Sequence, residues 1–338
     1  MSPAQPLTVA ITGPTGDIGR ALVRALERSP SIGEIRGMAR RPIDPEYGFR
    51  TLEYRQGDVL NRDDVERFVE GADVVVHLAF IILGSHDETR AINLEGSRNV
   101  FEAAIACGAQ RLVYASSVAA YGFYPDNPQP LTEDVPPRGT DSFYYSAQKA
   151  ELERLLADFT SGVDIDTYVF RPCIVAGPDA LLMVDNIPYV RMAGSLPGAA
   201  RRLFDGLPLL KPVIPDPGVT YQLVHHDDVA TAIRAAIQGK GEAGIYNLAA
   251  TGELTLSDLA SEMGYYAIPV PELAIDATAQ IASRLPFMPP EADWIHALRV
   301  PTIMDTTKAR RQLGWKPKHT GRDALREMVA ALRAERRG

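Results

Sequence analysis

Cysteine is scarce in this chain of 338 residues, which contains only Cys107 and Cys173. Neither cysteine stands at metal-ligand spacing from another Cys, His or Asp, so the sequence predicts no metal site. Two isolated cysteines also provide no disulfide framework. A reducing cytoplasm is therefore the simplest compartment for the protein.

Positive charge is also in the minority, because 35 Lys and Arg residues face 43 Asp and Glu residues, a formal net charge of −8. This balance argues against a general nucleic-acid binder. No uncharged apolar run approaches the length of a membrane span, and the start MSPAQPLTVA lacks the basic and apolar regions of a signal peptide. We expect a cytoplasmic protein with a small-molecule substrate and no nucleic-acid or membrane partner.

The first half of the chain alternates short apolar segments with longer amphipathic ones. Continuous apolar strands that alternate with helices are typical of a parallel sheet covered on both faces. We therefore predict an α/β fold with a Rossmann-type doubly wound parallel sheet. The predicted strands are 7–12, 34–39, 52–56, 73–79, 111–116 and 166–171, and the predicted helices are 17–28, 62–70, 88–107 and 142–161.

The regular alternation ends after residue 171, and residues 176–218 are rich in proline, glycine and leucine. The segment YQLVHHDDVATAIRAAI then predicts a strand that leads into a helix, and GIYNLA predicts another strand. We expect a main domain of residues 1–175 and 219–250. The remainder, 176–218 and 251–338, is predicted to form a smaller C-terminal substrate-binding lobe.

Three glycines with the spacing G-x-x-G-x-x-G lie between the first strand and the first helix. Glycines there tighten the turn and let the backbone approach a pyrophosphate at the helix N-terminus. A tight turn that binds nothing has the same pattern, but its place after the first strand favours dinucleotide binding. The predicted contacts in the turn are Gly13, Thr15, Gly16, Asp17, Ile18 and Gly19.

The end of the second strand bears on the choice of cofactor. A carboxylate there would bind the ribose 2′-hydroxyl of NAD, but the sequence has Arg40 and Arg41. Two guanidinium groups suit a 2′-phosphate, which favours NADP over NAD, although solvated surface arginines remain an alternative. Asp58, followed by Val59, comes after the third strand and is a candidate contact to the adenine.

Lysine is scarce as well, with six residues against 29 arginines, yet Lys149 stands four residues after Tyr145. Side chains at i and i+4 share one face of a helix. An ammonium near a phenol lowers its pKa, and such a phenol is a plausible general acid and base for an alcohol and a ketone. Tyr144 has only Gln148 at the same offset, so Tyr145 is the candidate.

Ser116 and Ser117 follow the fifth strand, in YASSVAAYG. Ligands of doubly wound sheets bind beyond the carboxyl ends of the strands. A serine hydroxyl at this position can hold a substrate carbonyl, and a hydrogen bond at the strand end is the alternative interpretation.

Together these segments resemble an extended short-chain dehydrogenase/reductase of the NAD-dependent epimerase/dehydratase family. The resemblance follows family order over nearly the whole chain. Its stretches are TGPTGDIG, DVVVHLA, NLEGSRNVFEAA, LVYASSVAAYG, YSAQK, RPCIVAGP, VHHDDVATAI and DTTKARRQLGWKPK.

The resemblance implies roles for individual residues. Tyr145 would be the acid and base, and Lys149 would bind the nicotinamide ribose and lower the pKa of Tyr145. Ser117 would be the active hydroxyl, since it lies five residues before Gly122, with Ser116 secondary. The resemblance also implies a homodimer through the helices 88–107 and 142–161. Further implied cofactor contacts are Leu78, Ala79, Asn93 and Pro172.

Three functions remain open: an oxidoreductase that uses free NADP(H), a nucleotide-sugar epimerase with tightly held NAD(P), and a non-catalytic cofactor sensor. Similar dehydratases carry Asp-Glu after the active hydroxyl, where this chain has Val118 and Ala119. Similar epimerases carry an arginine where this chain has Tyr221 and Gln222. We favour the oxidoreductase, although phosphate contacts from the second lobe remain an alternative, at Arg201, Arg202 or Lys211.

Apolar residues crowd the expected approach of the substrate, in the segments 80–83 and 181–184. A pocket lined by them suits a less polar ketone or alcohol, and ordinary packing is the alternative.

Two histidine-containing features favour structural roles. The segment HHDD, residues 225–228, resembles a metal cluster but precedes a predicted helix, so Asp227 or Asp228 is expected to cap it. His77 lies within an apolar strand and is expected to be a hydrogen-bonded core histidine, and Trp315 is expected to anchor packing.

Overall fold

The computed structural model describes residues 5–82, 89–181, 213–270 and 300–335. The strands of this part are β1 (Leu7–Thr12), β2 (Ile32–Ala39), β3 (Leu52–Gln56), β4 (Val74–His77), β5 (Arg111–Ala115), β6 (Asp166–Pro172), β7 (Ile174–Ala176), β8 (Val213–Asp216), β9 (Leu223–His225), β10 (Gly244–Leu248) and β11 (Tyr266–Pro269). Its α-helices are α1 (Asp17–Leu26), α2 (Arg62–Val69), α3 (Gly96–Ala106), α4 (Tyr144–Thr160), α5 (His226–Ile237), α6 (Leu256–Met263), α7 (Thr307–Gln312) and α8 (Gly321–Glu335).

Seven strands form one parallel sheet in the order β3-β2-β1-β4-β5-β6-β10. The order reverses direction between β1 and β4, as it does in doubly wound sheets. This arrangement confirms the predicted fold class and places the ends of β1, β4 and β5 side by side.

Helices cover both faces of the sheet. Successive strand residues point in opposite directions, so Val9 and Ile11 join one buried cluster with α1 and α5. Ala10 and Val75 join a second buried cluster with α2, α3 and α4. Both faces of the central strands are therefore buried, which explains why β4 and β5 are almost continuously apolar, whereas β3 at the edge of the sheet is largely exposed.

A smaller third cluster joins β9, α6 and α8, with Leu223, Leu259 and Leu325 among its buried residues. Two short parallel sheets accompany it, β7 with β9 and β8 with β11. Met304 and Trp315 pack instead into the core of the main sheet. The division of the chain into two parts at the expected residues stays a prediction.

The helix expected at 88–107 contains, in its described part, a π-helical turn at Ala91–Glu95 that continues into α3. α3 packs against α4, and the homodimer through these helices stays a prediction. Within the described ranges no helix combines the length and the apolar character needed to cross a bilayer.

Candidate active site

The glycine turn between β1 and α1 depends on close backbone contacts. Gly13 has a φ of +74°, which favours glycine, and a Cβ there would lie 2.9 Å from the backbone nitrogen of Ala79. A Cβ on Gly19 would lie 2.2 Å from the carbonyl oxygen of Gly13. Gly16 is the N-cap of α1 and makes no side-chain cap. The turn thus presents a helix N-terminus that fits the pyrophosphate of a dinucleotide.

The other predicted residues of the turn lie around this N-terminus. Thr15 and Ile18 are partly exposed. A carboxylate oxygen of Asp17 lies 3.7 Å from the Arg20 guanidinium. Burial raises the pKa of Asp17, and the charge of Arg20 opposes this shift. Arg20 also donates to the carbonyl oxygen of Asp179 at 3.0 Å, which ties the start of α1 to the chain beyond β7.

Arg40 and Arg41 are exposed directly after β2. Their carbonyl oxygens are held, because Arg40 accepts from Gln56 Nε2 at 2.9 Å and Arg41 accepts from the Tyr54 hydroxyl. Among the described residues no carboxylate forms an ion pair with either guanidinium. The backbone of this segment is therefore fixed while two positive side chains stay available to a ligand.

Asp58 and Val59 form the turn after β3. Asp58 accepts a hydrogen bond from the backbone nitrogen of Leu60 at 3.0 Å. Val59 is buried against Gly96, and its carbonyl oxygen accepts from Asn99 Nδ2 at 2.9 Å. Their contact with an adenine stays a prediction.

Ser117, Tyr145 and Lys149 come together beyond the carboxyl end of β5. α4 begins at Tyr144, so Tyr145 lies in its first turn and Lys149 lies one turn later on the same side. Ser117 lies close enough to Tyr145 for its hydroxyl to lower the pKa of the phenol. Lys149 is buried, and its Nζ donates to the carbonyl oxygen of Ala115 at 2.8 Å. Two hydroxyl groups therefore stand beside a buried amine at the predicted edge of the sheet.

The expected lowering of the Tyr145 pKa by Lys149 is wrong for this arrangement. Burial raises the pKa of Tyr145 above its ordinary value of 10.0, and the hydrogen bond with Ser117 opposes the rise. Lys149 Nζ lies 5.9 Å from the centre of the Tyr145 ring. Burial lowers the pKa of Lys149 to about 7, although the negative charge of Glu153 opposes this shift. The lysine, rather than the tyrosine, is thus the group that titrates near neutral pH.

The two adjacent tyrosines have different neighbours. The Tyr144 hydroxyl donates to the carbonyl oxygen of Ile82, in the segment that follows β4. Tyr145 instead lies beside Ser117, whose hydroxyl acts to lower the pKa of the phenol. This difference agrees with the preference for Tyr145 that the lysine spacing indicates.

The Ser116 hydroxyl is hydrogen bonded to a buried ion pair between Glu153 and Arg171. It donates to Glu153 Oε1 at 2.5 Å, and Glu153 also accepts from Arg171 Nε at 2.9 Å and Nη2 at 2.5 Å. Burial disfavours the charge of the fully buried Arg171, but its hydrogen bonds to Glu153 raise the pKa of the guanidinium. Because the Ser116 hydroxyl is used in this bond, the predicted contact of Ser116 with a cofactor could involve only its backbone atoms, and it stays a prediction.

Sequence reasoning missed both members of this ion pair. Glu153 lies four residues after Lys149, on the same helix face, so the spacing that indicated Tyr145 also points to it. Arg171 lies near the end of a predicted apolar strand, where a charged residue implies a partner.

Asn93 has a bonding pattern that the sequence did not predict. It is fully buried, and its Oδ1 accepts from the backbone nitrogen of Ile81 at 2.8 Å. Its Nδ2 donates to the Ile81 carbonyl oxygen at 2.9 Å and to Gln148 Oε1 at 2.8 Å. Asn93 thus links the segment after β4 to α4, and its implied contact with a cofactor stays a prediction.

The remaining implied cofactor contacts lie at strand ends. Leu78 and Ala79 follow β4 and are partly exposed, and Pro172 is the buried last residue of β6. Of the apolar segments, residues 83 and 182–184 lie outside the described residues, as do Arg201, Arg202 and Lys211.

His77 is a core histidine, as predicted. Its Nδ1 lies 2.7 Å from the Thr12 hydroxyl and its Nε2 lies 2.8 Å from the Ser97 hydroxyl. Burial, with the charge of Lys149, lowers the pKa of His77 to about 3, so the ring is neutral at physiological pH.

The cap of α5 differs from the prediction. His225 is the N-cap, and its Nδ1 accepts from the backbone nitrogen of Asp227 at 3.1 Å. Asp228 instead accepts from the backbone nitrogens of Lys318 and His319 at 2.8 and 3.0 Å. The indole of Trp315 donates to the Asp228 carbonyl oxygen at 2.8 Å, which confirms its anchoring role.

Ligand atoms of His225, His319 and Glu327 lie within 4.8 Å of one another. The cap uses the Nδ1 lone pair of His225, so in the neutral ring Nε2 carries the proton and donates to Glu327 at 3.2 Å. The rings of His225 and His319 also stack with centres 3.9 Å apart rather than converging on one point. We therefore interpret the cluster as hydrogen-bonded rather than metal-binding.

A sequence profile of the NAD dependent epimerase/dehydratase family matches residues 9–249. The chain belongs to this family. The match runs from β1 through β10, so it includes every strand of the main sheet. The family description is of NAD-dependent enzymes, and it agrees with the turn and the Ser117, Tyr145 and Lys149 cluster described above.

Individual relatives have low sequence identity to this chain. An uncharacterized protein of Sinorhizobium fredii is 28% identical over 97% of this chain and 79% of its own length. Human 3 beta-hydroxysteroid dehydrogenase type 7 is 31% identical over 54% of each chain. Other matched relatives are longer, and the chain spans 30% of their length.

Among solved structures, UDP-glucuronic acid 4-epimerase from Bacillus cereus, in complex with NAD, has a TM-score of 0.72 and 18% identity. The match covers 98% of this chain and all of that one. This likeness shows a common fold.

Proposed function

We propose that this protein is an NAD(P)-dependent oxidoreductase that interconverts an alcohol and a ketone by hydride transfer. The observation that carries the proposal is that Ser117 lies close enough to Tyr145 to lower its pKa, with the buried Lys149 one helical turn away. Two neighbouring hydroxyl groups can bind one substrate oxygen, the serine to orient it and the tyrosine to exchange a proton with it.

In the direction of reduction, Ser117 holds the ketone oxygen and Tyr145 donates its phenolic proton to that oxygen. The nicotinamide supplies the hydride when it is bound. The negative charge left on Tyr145 then faces the ammonium of Lys149, which the carbonyl oxygen of Ala115 fixes at 2.8 Å. In oxidation the phenolate accepts the proton of the alcohol, and the same groups act in reverse.

An aromatic surface next to Tyr145 supports an apolar substrate. The ring centre of Phe143 lies 5.7 Å from that of Tyr145, and Phe123 lies 6.0 Å from Phe143. All three rings are partly exposed. Pockets for organic substrates are lined by such rings with few polar groups. The name of the human relative refers to a hydroxysteroid, which is a large apolar alcohol.

Residues at the positions that distinguish sugar-modifying relatives have other partners here. Tyr221 is buried, and its hydroxyl donates to the Thr255 carbonyl oxygen at 3.3 Å. Gln222 Oε1 accepts from the backbone nitrogen of Met304 at 2.8 Å. Val118 and Ala119 form a buried 3-10 turn without an acid or base. These observations favour the oxidoreductase over a dehydratase and an epimerase.

The test is a screen of apolar ketones in which the absorbance of added NADPH or NADH is followed. The proposal expects stoichiometric oxidation of added cofactor by at least one ketone. The control contains the cofactor and UDP-sugars in place of ketones. If no ketone is reduced while a UDP-sugar is epimerised without net cofactor consumption, the proposal is wrong.

A nucleotide-sugar epimerase with tightly held NAD(P) is the second candidate, supported by the family match and the Bacillus cereus structure. Both reactions use the same hydroxyl and phenol, so the fate of the cofactor separates them. An epimerase retains nicotinamide through purification and does not exchange it with labelled cofactor, whereas the proposed enzyme exchanges it.

The proposal includes a preference for NADP, supported by the exposed Arg40 and Arg41 after β2. Replacing both with alanine is expected to raise the Kd of NADPH at least about 100-fold, since each charged hydrogen bond contributes about 1.5–3 kcal/mol and about 1.4 kcal/mol is tenfold in Kd. The Kd of NADH, measured by the same fluorescence titration, is the control and should change little. Equal weakening of both cofactors would contradict the role of the arginines.

A further inference from the structure

The Phe80 ring contacts both ionisable residues of the site, Lys149 and Tyr145. Lys149 Nζ is 3.7 Å from the centre of the Phe80 ring, a shorter distance than any other between a cation and a ring in the described chain. The same ring meets Tyr145 edge to face, with centres 5.5 Å apart and planes at 90°. The negative ring face attracts the ammonium, and the perpendicular contact fixes the phenol.

The main chain around Phe80 is held in place. The next residue, Ile81, has both its nitrogen and its carbonyl oxygen bonded to the buried Asn93 side chain, at 2.8 and 2.9 Å. The carbonyl oxygen of Ile82 accepts from the Tyr144 hydroxyl. The main chain next to Phe80 is therefore tied to Asn93 and α4, in addition to the packing of the Phe80 side chain against the second buried cluster.

The other groups that face Lys149 provide little negative charge. From β5, the Tyr114 hydroxyl lies 3.4 Å from Nζ, and burial raises the pKa of Tyr114 well above 10.0, so it is a neutral phenol. From β4, His77 is neutral.

On α4 itself, Tyr145 is a neutral phenol because burial raises its pKa. Glu153 is the remaining charged neighbour, and its oxygens are bonded to Arg171 and Ser116. The Phe80 ring is thus a principal contact of the ammonium.

We propose that Phe80 is a positioning residue, whose ring keeps the Lys149 ammonium charged and beside Tyr145. The effect of Phe80 on catalysis rests on the proposed function. The contact between the ring and the ammonium does not, and it can be measured without any turnover. It also accounts for a phenylalanine at the start of a segment that sequence reasoning assigned only to the substrate wall.

The direct test is the titration of Lys149, followed by NMR of the Nζ and Cε atoms in protein labelled at its six lysines. The Lys149 signal is assigned as the one that Lys149→Met removes. Phe80→Leu keeps an apolar side chain but removes the ring face, so the Lys149 pKa is expected to fall by about one unit. Phe80→Trp keeps a ring face and is expected to restore the titration.

Phe143→Leu is the matched control, because Phe143 contacts the Tyr145 ring but no contact between it and Lys149 is found among the described residues. It is expected to leave the Lys149 titration unchanged. If Phe80→Leu fails to fold, fluorinated phenylalanines at position 80 alone weaken the ring face without changing its shape. The Lys149 pKa should then fall stepwise with the number of fluorine atoms.

With a ketone substrate, the loss of kcat at rising pH is expected to begin about one unit lower in Phe80→Leu. Phe143→Leu alters the proposed substrate surface, so it is compared only for the pH at which the loss begins, which should match the wild type. A Lys149 titration that is the same in wild type, Phe80→Leu and the fluorinated proteins overturns the assignment. If the titration shifts but no ketone is reduced, the positioning holds and the proposed reaction fails, so the two outcomes are distinguishable.

Discussion

Replacing Tyr145 with phenylalanine is expected to lower kcat for ketone reduction by a factor of about 10²–10⁴, the usual contribution of a general acid. The substitution removes only the hydroxyl beside Ser117 and leaves the ring contacts with Phe80 and Phe143. Cofactor affinity and the melting temperature should therefore remain close to wild type. Steady-state kinetics and a cofactor titration on the same preparation measure both.

Tyr144→Phe is the control for this substitution. It removes the hydroxyl that donates to Ile82, on the adjacent residue of the same helix turn. This variant should retain most of the kcat, although the segment after β4 loses its hydrogen bond to the Tyr144 hydroxyl. If Tyr144→Phe abolished turnover and Tyr145→Phe did not, the assignment of the acid and base would be wrong.

Replacing Glu153 with glutamine is expected to lower the free energy of unfolding by about 3–5 kcal/mol, because it leaves the buried guanidinium of Arg171 without a counter-charge. Arg171 is fully buried and donates hydrogen bonds to both carboxylate oxygens of Glu153. The Ser116 hydroxyl loses the charge of its acceptor in the same step. Urea denaturation, followed by circular dichroism, measures the change.

An exposed ion pair on the same helix is the matched control. Glu151 lies 3.2 Å from Arg90, and both side chains are largely in solvent. Glu151→Gln should therefore cost less than about 1 kcal/mol. Replacing Glu153 and Arg171 together by leucine and methionine should recover much of the lost stability, because no unpaired charge stays buried. A similar cost for the two glutamine variants would contradict the role given to burial.

The strands of the main sheet could be predicted because their signals are local. The bounds of β1 and β3 agree with the prediction, and each strand ends directly before a glycine, Gly13 after β1 and Gly57 after β3. β4 is shorter than expected, since the predicted strand continued to residue 79 and the observed one ends at His77. The Ala79 nitrogen instead lies close against Gly13. That contact joins distant segments, so no local pattern could indicate it.

The site shows the same division. The spacing of Tyr145 and Lys149 indicated which side chains share a helix face, and the structure has them one turn apart. The direction of their pKa shifts could not be predicted, because it depends on how deeply each group is buried. His225 caps the helix instead of Asp227 or Asp228, and its ring stacks on His319 from the C-terminal part of the chain, a contact that no local pattern indicates.

The bonds between Asp228 and residues 315–319 have a consequence for the order in which the protein matures on the ribosome. Chains emerge from the N-terminus first, but α5 packs on α1 and is itself covered by Trp315. The outer side of α5 therefore stays uncovered until Trp315 has been synthesised. The nascent chain must carry this apolar helix surface, without its cover, through the production of residues 238–314.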